Sequence, residues 1–149
     1  MSNCKSDKEE TIFLLKEVNS GCKSATNSME QVLEYVKDDN LKELIHRSNK
    51  EHVKIGDECH VMLNKYCEDE KDPNKISSAM AHMGTQIKLM AGADNSKIAG
   101  ILMDGCNMGI QSLSGYMNQY PCASNESMEL AKRLVREEEN FMMALEKYL

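Results

Sequence analysis

The sequence predicts an all-α protein on three observations. Hydrophobic residues fill 41% of the 149 positions, yet only 5% are aromatic, with no Trp and two Pro; a core of Leu, Met, Ile and Ala favours helices over strands. Apolar residues return at alternating steps of three and four, the period of one helix face. Small polar and acidic residues that cap helices stand ahead of these runs. At this length one domain covering 1–149 is the expectation, with 1–7 a flexible N-terminal tail.

The first helix is expected over about 8 to 37, its seam formed by Leu15, Val18, Cys22, Ala25, Met29, Val32 and Val36. Lys37, Asp38, Asp39 and Asn40 interrupt it, and Asp39 or Asn40 can cap a second helix. That helix carries Leu41, Ile45, Ser48, His52, Ile55, Cys59, Met62 and Tyr66 inward. Each of the two is about 30 residues, or about 45 Å, and they run antiparallel. The charged CEDEKDPNK, residues 67–75, ends this hairpin. A shorter helix follows through Ile76, Met80, Met83, Ile87 and Met90, stopping at Gly92. Asp94 or Asn95 caps a fourth helix that reaches Tyr120 before Pro121, with a stripe of Ile98, Leu102, Gly105, Gly109, Ser112 and Tyr116. Two glycines inside a helix cost about 1 kcal/mol each relative to Ala, which suggests close approach of another helix or a bulky neighbour. The last helix starts at Ser124 or Asn125 and turns Ala131, Leu134, Val135, Phe141, Met142, Leu145 and Leu149 inward. Glu138 falls in that apolar line, whereas Glu137 and Glu139 are expected in solvent.

A net charge of -6 and a pI near 5.3, with acids spread throughout, oppose a phosphate-binding surface, so no nucleic acid partner is expected. The polar start MSNCKSDKEE and the lack of a long apolar run predict neither a secretory signal nor a membrane span, hence a cytoplasmic protein. The six cysteines include no C-x-x-C pair and are expected as thiols. Among the twelve methionines, Met80, Met83 and Met90 keep helical spacing, and core filling is the expected use. Of the adjacent Met142 and Met143, one is left for a subunit contact, so a homodimer or other homo-oligomer is an open partner assignment.

Three stretches carry a resemblance: LKELIHRSNKEH in the second helix, AMAHMGTQIKLM in the third and the closing AKRLVREEENF. With two long helices, a shorter crossing helix and a second pair, the chain resembles the ferritin-like superfamily, in particular a small uncharacterised bacterial branch. The resemblance implies an up-down bundle of four long helices, with residues 74–92 as the crossover. Di-iron members hold their metals with a Glu on two helices and Glu-x-x-His on two others. Here the single Glu-x-x-His is Glu43 to His46, with His46 off the seam, and Glu138 is followed three positions on by Phe141. The standard di-iron motif is missing.

The densest group of candidate ligands is NKEHVKIGDECH, residues 49–60. Helical phase puts His52 and Cys59 on the seam, Glu51 and Glu58 beside it, and Asp57 and His60 outside. Asp57 and His60 read as a solvated pair, and His82 as structural. Counting back from each hairpin turn sets His52 level with Ala25, one turn from Cys22, and sets Glu138 opposite Cys106, beside Asp104 and Met108. Cys22, Glu51 or His52, Asp104 and Glu138 are thus expected at one level. A lone buried carboxylate is costly, so Glu138 is expected to be protonated or paired with His52 or a cation. The plainest outcome is a His–Glu hydrogen bond that fixes helix register. The alternative is a single-metal site built from Cys22, Glu51, His52, Asp104 and Glu138 and holding Fe, Mn or Zn. The corresponding roles are a non-catalytic structural, stress-related or assembly protein, a metal-binding protein or oxidoreductase, or a helical partner-binding module whose face the fourth helix's glycines shape.

Overall fold

The computed structural model describes residues 6–70, 86–88 and 90–149. Four long helices dominate: α1 (Asp7–Leu33), α2 (Asp39–Lys65), α3 (Asn95–Gln119) and α4 (Asn125–Leu145), followed by a 3-10 turn over Glu146–Tyr148. The architecture is all-α, and no strand occurs among the described residues. Residues 1–5 of the expected tail and most of the expected third helix, with His82, lie outside the described residues. Residues 86–88 are helical, Ile87 and Met90 are buried, and Gly92 takes a left-handed φ of 76° just ahead of α3.

Each long helix starts on a side-chain cap. Ser6 accepts from Glu9 N–H, Asp38 from Leu41, Asp94 from Lys97, and Ser124 from Ser127, which satisfies donors that a helix start leaves open. The cap of α2 is Asp38 rather than Asp39 or Asn40, and α1 ends at Leu33 rather than near 37. Val36 is nonetheless buried, because the chain leaves the helix while still crossing the core.

α1 packs along α2, α3 along α4, and α4 also touches α1 and α2. α1 and α2 come close at Gly56, where an added Cβ would lie 3.3 Å from the Cys22 Cβ, and Asn19 Nδ2 donates to the Gly56 carbonyl at 3.2 Å. The seams of α1, α2 and α4 are buried largely as read from their spacing, although Leu63 replaces Met62 and Tyr66 at the end of α2 and Leu149 is exposed. Met142 is half-buried and Met143 exposed.

The core divides into two apolar clusters. One gathers Met29, Val32, Leu41, Ile45, Ile98, Leu102, Phe141 and Leu145, and the other Leu15, Val18, Ile55, Leu63, Leu113, Ala131 and Leu134. Along α2 the polar Ser48 and His52 separate Ile45 from Ile55, and along α4 Glu138 separates Leu134 from Phe141. A buried polar layer therefore crosses the molecule between its two apolar halves.

The cysteine reading needs one correction. Cys22, Cys59, Cys67 and Cys106 are free, but Cys122 is disulfide-bonded, a pairing that the sequence spacing did not signal.

Candidate functional site

His52 is 1% exposed and Glu138 6%, and a 2.6 Å hydrogen bond joins Nε2 of the first to Oε1 of the second. On the other side of the ring, Nδ1 stands 2.7 Å from the Ser48 carbonyl oxygen and 3.4 Å from its Oγ. A carbonyl only accepts, so Nδ1 carries a hydrogen and donates it. One further proton then lies between Nε2 and Oε1; without it, two lone pairs would face each other in a dry interior. Burial alone would lower the His52 pKa, but the hydrogen bond and charge of Glu138, with the Ser48 carbonyl, outweigh it and leave it raised.

Neighbours complete the layer. Ser48 Oγ donates to Glu137 Oε1 at 3.2 Å. Glu137 is therefore half-buried rather than solvated, and burial lifts its pKa. The buried Cys106 thiol is held protonated by burial, by the charge of Glu138 and by a hydrogen bond to that carboxylate. Cys22 is buried within electrostatic reach of both Cys59 and Glu138, with burial the main reason its thiol stays protonated.

Of the five residues expected at one level, the structure gathers Cys22, His52 and Glu138. Glu51 and Asp104 are exposed. The physical reason is helix phase: Glu51 precedes His52 by one residue, about 100° around the helix, and Asp104 precedes the buried Cys106 by two. Among the described residues, no three His, Cys, Asp or Glu side chains form a group able to hold a metal ion. The di-iron donor set does not fit either, since Glu43 and His46 both stand exposed. His60 Nδ1 pairs with Glu70 at 2.8 Å in an exposed position rather than with Asp57.

Beside this layer lies a cavity of about 190 Å³ walled by α1 and α3 with α4 beneath. Ser20, Ser24 and Ser28 line it from α1, and Gly105, Gly109 and Ser112 from α3. The α3 stripe thus borders open space, and Gly109 faces the Glu138 side chain, 3.6 Å from where its Cβ would stand. The sequence reading missed this feature. Its signals were the α3 glycines, Gly105 and Gly109, and the spacing of four between three serines beside the α1 seam.

Fold and centre together define a class: an all-α helical protein with a buried imidazole–carboxyl pair at the edge of a half-open pocket between α1 and α3. No family model matches the chain, and no curated protein matches it. Among solved structures, it is similar to a DUF305 fragment from Deinococcus radiodurans, with a TM-score of 0.74, 12% identity and 93% of each chain covered. At that identity the likeness establishes a shared helical fold. No helix among the described residues is long and apolar enough to cross a membrane.

Proposed function

We propose that this chain is a ferritin-like up-down bundle without di-iron chemistry, acting as a non-catalytic binding module whose structural, stress-related or assembly role runs through the α1–α3 cavity. The observation that carries this reading is the cavity itself, bordered by residues with little or no side chain next to the buried His52–Glu138 pair. Concave, mostly apolar spaces with a few polar groups are the usual form of ligand sites. The exposed Glu43 and His46 support the non-catalytic part.

Backbone amide NMR with benzyl alcohol as a neutral probe tests the reading. Saturable shifts clustered at Ser24, Met29, Gly105 and Gly109 are the expected result, and no saturable shift there removes the cavity as a binding site.

The single-metal alternative would need Cys22, His52 and Glu138 to move into a ligand group that they do not form in this structure. It has to break the Nε2–Oε1 hydrogen bond and deprotonate thiols that burial holds protonated. Elemental analysis of protein purified without chelator decides it: stoichiometric Fe, Mn or Zn that is lost in His52→Ala would move the function to a metal protein. Self-association through the exposed Met143 is a separate part of the proposal, checked by light scattering over a concentration series.

A further inference from the structure

We infer that the α1–α3 cavity is a site for a small organic cation, an ammonium group on a compact apolar body, with the ammonium held by the Glu138 carboxylate. The inference rests on the reading of the cavity as a ligand site and adds the class of ligand.

Size sets the body. At about 190 Å³ the space is somewhat larger than the roughly 150 Å³ apolar cavity that takes up benzene. One ring with a one-carbon ammonium arm matches that volume. Met29, Leu102, Leu113 and Phe141 supply apolar lining for the ring.

Charge sets the head group. The acidic side chains among the described lining residues are Glu17 and Glu138, and none of those residues is Lys or Arg. His52 also lines the space, but both of its nitrogens are turned to protein acceptors, Ser48 O and Glu138 Oε1. An anion would find no free donor there, whereas the proton shared between Nε2 and Oε1 still leaves Glu138 with open acceptor directions for an N–H donor. The carboxylate also reaches the α3 wall, since a Cβ at Gly109 would stand 3.6 Å from its Cδ and 3.8 Å from Oε1. Glycine leaves it uncovered there.

Capacity allows the second partner. An ionised carboxylate offers about four lone-pair directions, and His52 and the Cys106 thiol occupy two of them. A charge-assisted bond from an ammonium is roughly twice as strong as a neutral one. The rings of Phe141 and Tyr116, also in the lining, add π surface that attracts a cation.

Calorimetric titration of the full chain with benzylammonium, benzyl alcohol and benzoate, at one pH and ionic strength, tests the assignment. Benzylammonium is expected to bind at least about tenfold more tightly than benzyl alcohol, and benzoate to give no binding heat. Glu138→Gln should erase the preference between amine and alcohol, and Gly109→Leu, which fills the space, should remove binding of both. Benzyl alcohol or benzoate binding as tightly as benzylammonium overturns the cation assignment and leaves the cavity reading standing. No binding by amine or alcohol overturns both. A Glu138→Gln variant that keeps the amine preference removes Glu138 as the anchor, and if that variant does not fold, the ranking of the three probes on the unaltered chain decides alone.

Discussion

His52 has no spare nitrogen, and that determines how the buried pair responds to change. Removing one partner leaves the other polar and buried, so His52→Ala should cost about 3–5 kcal/mol in urea unfolding. Replacing both, as in His52→Leu with Glu138→Met, should cost less than His52→Ala alone, because an apolar pair of similar volume is often neutral. Additive losses would show that the two groups are not coupled. The pair also sets a pH dependence. The folded-state pKa of His52 is above its ordinary 6.5, so the native chain holds the proton more tightly than the unfolded chain. That stabilisation is complete below pH 6.5 and is lost as pH rises through the folded value. Glu137, lifted above its ordinary 4.5, contributes with the same sign at lower pH. The melting temperature should therefore fall as pH rises above 6.5, and His52→Gln should flatten that slope.

At the scale of the helix, three glycines that look alike in the sequence have different surroundings. A Cβ at Gly100 or Gly115 in α3 would meet nothing within 4 Å, whereas one at Gly56 in α2 would press on Cys22. Gly100→Ala and Gly115→Ala should each stabilise by up to about 1 kcal/mol through helix propensity. Gly56→Val should destabilise, since the α1–α2 crossing has to widen; denaturant midpoints of the three variants check the contrast. Thiol chemistry follows position in the same way. Cys67 at the exposed end of α2 should react first with an aromatic disulfide reagent, while Cys22, Cys59, whose thiol burial pushes up to about 12, and Cys106 should react only as the helices open. Rapid labelling of all four in the native protein would contradict the packing. Helix limits were legible to within a few residues, and the miss at α1 is instructive: Val36 keeps the apolar period after the helix has ended, because periodicity reports burial and not hydrogen bonding.

Across the whole molecule, the polar layer was more legible than the space beside it. His52 and Glu138 each interrupt an apolar line, which marks a buried polar residue, and hairpin arithmetic from the turns near 38 and 121 brought them to one height. Glu51 and Asp104 flank such lines, and a flank is read only once the helix is rotated against its neighbours. The cavity is a gap between α1 and α3, and residues that fail to fill a space leave only small side chains as their trace. Nor did spacing reveal a tie between distant parts of the chain. Glu10 and Thr11, both buried at the start of α1, accept hydrogen bonds from the backbone N–H groups of Cys122 and Ser124 at 2.5 and 2.8 Å. The opening turn of the first helix is thus a latch on the loop between the last two. Trimming the chain past Thr11 should make the Tyr120–Ser124 segment, far along the polypeptide, the first place a protease cuts.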